Sequence, residues 1–301
     1  MKQIDGLVIG SRQVLALFQE YTEGPDGMVF ARPDAGRPNA GRPNAGPRGS
    51  AQGSASGTVQ GLETVRDALD AYRPRQAVFL SPYRGMAADA ARLVENGVDV
   101  RTAGPLPVRT RNLEIPITDI HRSEPGFRAM LEASRHADFG EPVYLRLISS
   151  PEGGQWQKWW CVFQSCRKAE VLMDSPLRRV YVAAAGTAPR LHISITLKTH
   201  RDSTGHLLVA PNGSRLQDDL FLVGTGGTLA DDPLFNQPGM YGKSEYHMPI
   251  RPAGRCLASL WGNEALIALS ADERRFYLDL LRAIGDSSRS RSGICLEYPA
   301  A

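Results

Sequence analysis

Apolar residues come in short continuous runs at the start of the chain and in alternation later on. Residues 4–10, IDGLVIG, read as a buried strand that stops at glycine. Residues 11–21 then place Val14, Leu15, Leu17 and Phe18 at helical spacing, with Ser11 as the N-cap. Met28 to Ala31 is a second short apolar run. Strand, turn, helix and strand within about 30 residues make a βαβ opening.

The next segment breaks that order. Residues 33–57 hold almost no large apolar side chain, and AGRPNAGRPNAG is a tandem five-residue repeat. Such a stretch cannot offset its ordering entropy by burial, so it predicts a disordered insertion, with a mobile lid as the functional alternative. Order resumes at Thr58. Residues 61–72 carry Leu62, Val65, Leu69 and Tyr72 on one helical face. Residues 76–81 are an apolar strand, 82–97 a helix stopped by Gly97, and 98–104 another strand. The sequence of elements predicts an open parallel sheet with right-handed crossovers.

Beyond about residue 120 the pattern changes. Helices are expected over 125–137, 157–173 and 271–286. Between them, 144–150, 180–186, 190–200, 205–211 and 219–232 are extended and alternating, joined by turn residues. That predicts an antiparallel sheet with one buried face. The predicted fold is α/β followed by α+β: a Rossmann-like domain over 1–120, then a domain over 121–301 with a large open antiparallel sheet.

Length supports this division, since 301 residues suit one large or two moderate domains. Lys and Arg number 35 against 32 Asp and Glu, so the net charge of +3 gives no electrostatic footprint for nucleic acid. Arginine supplies most of the cations, which makes each single arginine weak evidence. Cys161, Cys166, Cys256 and Cys295 have neither zinc-site spacing nor the density of a disulfide scaffold. They read as free thiols in a reducing cytoplasm, with no metal site. Asp5, Arg12 and Glu20 break the N-terminal apolar stretch, so no signal peptide is expected. No apolar run reaches the roughly 18 residues of a membrane span.

Residues 77–106, AVFLSPYRGMAADAARLVENGVDVRTAGPL, resemble the fourth strand, helix and fifth strand of the Gfo/Idh/MocA oxidoreductases. The extended RLHISITLKTH, the return GHLLVAP, the glycine-rich LVGTGGTLADD and the closing ERRFYLDLLRAI are similar to that family's second domain. The resemblance covers most of the chain outside residues 33–57. It implies a nicotinamide cofactor, a small-molecule substrate and a homodimer through the C-terminal sheet. There is also a distant similarity to thiazolinyl imine reductases, whose first turn is likewise atypical and which replace the usual lysine.

The same resemblance places the site residues. The dinucleotide turn is Gly10-Ser11-Arg12, in which only the first glycine of Gly-x-Gly-x-x-Gly remains. Arg12 either crowds the pyrophosphate or donates to it beside the helix N-terminus. Arg32 stands where an acidic residue normally holds the ribose diol, which favours NADP over NAD; a solvent-facing arginine is the alternative. Ser81 and Pro82 match the pair near the nicotinamide ribose, followed by Arg84. The Glu-Lys-Pro turn of the family becomes Ala103-Gly104-Pro105, so its lysine is lost. The motif of an Asp and a His four residues apart becomes Lys158 and Val162.

Lys158, among Trp156, Trp159 and Trp160, and His121 are the replacement candidates for proton transfer. An ammonium in aromatic surroundings is open to desolvation, and histidine titrates near neutral pH. Cation–π contact and a structural histidine are the alternatives. Arg122, Tyr144 and Trp156 are candidate substrate contacts, and the loop 239–249 either adds to them or covers a sheet edge. Two functions follow. One is a divergent NAD(P)-dependent oxidoreductase acting on a carbonyl or imine. The other is a cofactor-free relative that binds a small molecule or partner, or catalyses a non-redox step such as cyclisation.

Overall fold

The computed structural model describes residues 2–10, 28–31, 61–62, 64–106, 115–123, 125–151, 155–186, 191–210, 219–231, 239–242 and 269–297. The expected helix over 11–21 and the insertion over 33–57 lie outside them. The chain divides into two units. Met1–Thr102 with Leu106–Ile115 form the first, and Ala103–Pro105 with Pro116–Ala301 form the second.

In the first unit, β1 (Lys2–Ile9), β2 (Met28–Ala31), β3 (Gly61–Leu62), β4 (Tyr72–Phe79) and β5 (Asp99–Thr102) form one sheet in the order β3-β2-β1-β4-β5. All its pairings are parallel. Its centre is apolar on both faces, as a parallel sheet requires: Leu7, Val8, Ile9, Ala77, Val78 and Phe79 are fully buried. Helix α1 (Val65–Ala71) starts late because Thr64 caps it, its side chain accepting from the Asp67 N–H at 3.0 Å. Gly61 and Leu62, expected inside that helix, instead pair with Phe30 and Ala31 as an edge strand. Helix α2 (Met86–Glu95) buries Met86, Ala90 and Leu93, spaced i, i+4 and i+7.

The second unit is built on α3 (Pro125–Ser134), β6 (Pro142–Ser149), α4 (Gln155–Leu172), β7 (Leu177–Ala185), β8 (His192–Thr199), β9 (Thr204–Val209), β10 (Asp219–Gly224), β11 (Gly227–Asp231), β12 (Gly239–Gly242), α5 (Ala271–Ser290) and β13 (Ile294–Cys295). The strands form one eight-stranded sheet in the order β12-β11-β10-β6-β9-β8-β7-β13. It is mostly antiparallel, with β6 and β9 paired in parallel. Alternation sorts its two faces. Leu220, Leu147, Leu207, Ile195 and Val182 lie side by side across five strands, all buried in the core. One residue along, Phe221, Arg146, His206, Thr196 and Tyr181 form the matching row on the open face.

The segment 219–232, expected as one strand, is a hairpin. Val223 pairs with Thr228 across Thr225-Gly226. Glycine is required there by close approach: a Cβ on Gly224 would lie 2.3 Å from the Phe139 carbonyl oxygen, and one on Gly226 would lie 2.2 Å from that of Asp138. Helix α5 opens with a capping box of Ser270 and Glu273 and buries Phe276, Tyr277, Leu280, Ala283, Ile284 and Ser287. Ser287 ties it to β7, accepting from the Val182 N–H at 2.9 Å.

Candidate functional site

In the first unit the carboxyl end of the sheet carries the polar positions. β1 ends at Ile9 and β4 at Phe79, and the Leu80 N–H extends their ladder to the Ile9 carbonyl at 2.8 Å. The strand order reverses between these two parallel strands: β2 and β3 lie on one side, β5 on the other. That is the switch point at which open α/β sheets bind ligands. Gly10, Ser81 and Pro82 sit there, buried, and Arg84 is exposed in the turn ahead of α2. Ser11, Arg12 and Arg32 lie outside the described residues.

In the second unit, Gly104 is buried beneath Trp160 of α4. A Cβ at residue 104 would come 2.7 Å from Trp160 Cδ2 and 3.0 Å from Cε2 and Cγ. The indole Nε1 donates to the Pro105 carbonyl at 2.7 Å, and one turn later Gln164 Nε2 donates to the Ala103 carbonyl at 3.3 Å. The place where the resemblance puts a lysine is therefore closed to any side chain while Trp160 stays where it is.

Lys158 is 3% exposed, and its Nζ donates to the Leu191 carbonyl at 3.5 Å, the outer limit of a hydrogen bond. Val162, at the position of the family's histidine, is fully buried in the apolar core. His121, in the 3₁₀ turn Ile120–Ser123, is 2% exposed. Its Nε2 lies 3.4 Å from Asp119 Oδ1, and its ring meets Phe127 edge-on at 4.8 Å. The Lys168 ammonium also lies over Phe127, 5.9 Å from the ring centre.

His121 thereby joins a buried polar cluster centred on Arg167. Arg167 Nε lies 3.0 and 2.9 Å from the two Asp119 oxygens, Nη1 3.0 Å from Glu170 Oε2 and Nη2 3.3 Å from Glu273 Oε1. Tyr277 donates its hydroxyl to Glu170 Oε2 and lies under the guanidinium, 5.5 Å from Arg167 Cζ to ring centre. Burial opposes the charge on Arg167, but Tyr277, Asp119 and Glu170 outweigh it and keep the guanidinium charged. Burial pushes Glu170 above the usual carboxylate range, against the pull of Tyr277 and Arg167. It also pushes the Tyr277 phenol well up, with Glu170 adding to the effect. The Cys166 thiol is raised by burial, then by Glu170, so it is no thiolate nucleophile.

Tyr144 lies half-buried on the open sheet face. Arg122 is in the 3₁₀ turn and Trp156 in the first turn of α4, without described side chains. Gln164, Asp119, Arg167, Glu170 and Tyr277 did not stand out in the sequence, and Trp160 did so only as a neighbour of Lys158. A signal existed for two of them: Arg167 and Glu170 interrupt the apolar run of a helix flanked by core residues. Among the described residues no group of His, Cys, Asp and Glu has the arrangement of a metal site, and no helix is long and apolar enough to cross a membrane.

No family profile matches the sequence, and no curated protein sequence does. Solved structures match over nearly the whole chain. A myo-inositol dehydrogenase from Corynebacterium glutamicum is similar at 14% identity and a TM-score of 0.63, over 99% of this chain and 100% of that one. An oxidoreductase from Agrobacterium radiobacter, solved with NAD+, L-tartaric acid and magnesium, is similar at 11% identity and a TM-score of 0.64, over 97% and 98%. The WlbA dehydrogenase from Bordetella pertussis, solved with NADH and UDP-GlcNAcA, is similar at 14% identity and a TM-score of 0.62, over 99% and 98%. These are dehydrogenases of the Gfo/Idh/MocA type, and this chain has their fold, as the sequence resemblance implied.

Proposed function

We propose that this chain is an NAD(P)-dependent oxidoreductase of the cytoplasm that reduces or oxidises a carbonyl or imine of a small molecule in secondary metabolism. The observation that carries the reading is the switch point between β1 and β4, in a sheet ordered β3-β2-β1-β4-β5 and followed by a second unit of dehydrogenase fold. The polar groups at that edge suit a dinucleotide. Gly10 brings bare main chain to the end of β1, Ser81 brings a hydroxyl to the end of β4, and Arg84 brings an exposed cation beside it. Ser11, Arg12 and Arg32 extend the set by sequence, with Arg32 selecting the 2′-phosphate of NADP. Bound there, the nicotinamide supplies or accepts the hydride.

The rest of the task is positioning and one proton. Lys158 is our first choice for the proton, because α4 holds it buried with its ammonium 3.5 Å from the Leu191 carbonyl. His121, oriented by Asp119 and Phe127, is the second. Arg122, Tyr144, Trp156 and Pro105 complete the proposed set of contacts. A second copy of the chain would cover the open face of the large sheet, where Tyr181 is 44% exposed and Arg146 lies over Phe221. Sedimentation of the protein tests this, and a monomer at micromolar concentration would reject it.

The closure of residue 104 by Trp160 favours a second reading, in which the fold has lost its redox role and binds a small molecule or catalyses a step such as cyclisation. A panel of imines and ketones, assayed with NADPH and NADH, separates the two. Turnover of any member supports the oxidoreductase. Silence across the panel, with the cofactors themselves unbound, supports the non-redox protein.

A further inference from the structure

The turn from β4 to α2, residues 80–85, is held more firmly than a solvent loop requires. It carries Ser81, Pro82 and Arg84, and Tyr83 spans it. Tyr83 is 7% exposed, and its ring packs on Phe79, the last residue of β4, with centroids 6.1 Å apart. Its hydroxyl donates to Asp89 Oδ2 at 2.7 Å, in the first turn of α2. Phenylalanine would fill the same space without reaching the helix. The main chain is fixed on both sides of Arg84. The Tyr83 carbonyl accepts from the Met86 N–H at 3.3 Å. Gly85 is left-handed at φ 99°, and its carbonyl accepts from Ala88 and Asp89 at 2.9 and 3.1 Å. Arg84 itself is exposed. Among the described residues it pairs with no carboxylate, whereas Arg92 lies 3.6 Å from Asp89. An exposed cation on a held main chain is prepared for an anion, because less remains to be ordered on binding.

We propose that Arg84 takes the diphosphate of the dinucleotide, and that Tyr83 and Asp89 are the positioning residues that hold it ready. The diphosphate is the anionic group common to NADPH and NADH, and Arg32 is already assigned the 2′-phosphate. A cation from the β4 turn thereby offsets the close main-chain approach lost after β1, where only the first glycine remains. Every residue involved belongs to the first unit. The proposal rests on the reading that a dinucleotide binds at the carboxyl edge of the parallel sheet.

The test is calorimetric titration of wild type, Arg84→Ala, Tyr83→Phe and the double variant with NADPH and with NADH. Tyr83→Phe keeps the ring on Phe79 and removes only the hydroxyl. Arg84→Ala alone should weaken both dinucleotides alike, about tenfold, the scale of one charge-assisted hydrogen bond. In the Tyr83→Phe background the same change should weaken them only about twofold, because residues that act through one another do not add. Asp89→Leu should bind as weakly as Tyr83→Phe. Asp89→Asn keeps an acceptor for the phenol and should recover most of that loss. A tenfold effect of Arg84→Ala in both backgrounds, or no recovery in Asp89→Asn, overturns the positioning role. Weakened NADPH with NADH spared overturns the diphosphate assignment. Arg84→Ala that binds both like wild type overturns the whole proposal and leaves the function standing. Wild type that binds neither dinucleotide overturns the function and the proposal together.

Discussion

Arg167 and Asp119 meet in the interior of the second unit, 2.9 Å apart at their nearest atoms, with side chains 7% and 2% exposed. This pair is the hub on which the 3₁₀ turn, α4 and α5 converge, because Glu170 and Glu273 take the other guanidinium nitrogens. A buried pair of this kind is weak evidence for net stability, yet breaking it is costly, since one charge is left without its partner. Arg167→Ala is therefore expected to cost about 3–5 kcal/mol in urea unfolding. Glu273→Ala should cost less, about 1–2 kcal/mol, because that carboxylate is 30% exposed and chiefly serves the capping box. Near-equal costs would mean that the cluster does not centre on Arg167.

Stability should depend on pH through Glu170. Its carboxyl is raised in the folded protein by burial, with Glu273 adding to the rise. The folded state thus holds that proton more tightly than the unfolded chain, and stability falls as pH rises above the usual carboxylate range. Glu170→Gln keeps an oxygen for Tyr277 and Arg167 and removes the titration. The variant should lose less stability than wild type between mildly acidic and neutral pH. Parallel melting curves against pH for the two proteins would contradict this.

Much of this architecture was legible in the sequence, because it rests on periodicity. Continuous apolar runs marked β1 and β4, and alternation marked β6, β8 and β9. What was not legible depends on contacts between distant residues. The β10–β11 hairpin looked like one strand, since its turn is set by where Asp138 and Phe139 press on Gly224 and Gly226. Nothing local tells that β6 and β9 run parallel. At the site, the loss of a lysine at Gly104 was visible, but its cause was not: Trp160 lies 56 positions away and fills the space.

Proton transfer gives the third prediction. Lys158→Met keeps the length of the buried side chain and removes the ammonium. Turnover should drop by about 10²-fold or more, the usual worth of a positioned acid, with cofactor affinity nearly unchanged. If Lys158→Met retains full turnover and His121→Gln loses it, the proton comes from His121. Full turnover in both assigns it to substrate or water.

Cofactor preference gives the fourth. Arg32 follows directly on β2, so Arg32→Ala should weaken NADPH about tenfold or more and leave NADH nearly unchanged, because only the 2′-phosphate pairs with it. An equal loss for both dinucleotides would point to damage of the site as a whole.

The central claim is that the switch point between β1 and β4 still holds a nicotinamide dinucleotide, despite the thinned glycine turn and the closed position at residue 104. Calorimetric titration of the wild-type protein with NADPH and then NADH tests it most directly. The account predicts saturable binding of one NADPH per chain in the micromolar range, about −8 kcal/mol, with NADH weaker. Dissociation constants weaker than about 1 mM for both, no more than roughly −4 kcal/mol, would contradict it and make this a dehydrogenase fold put to another use.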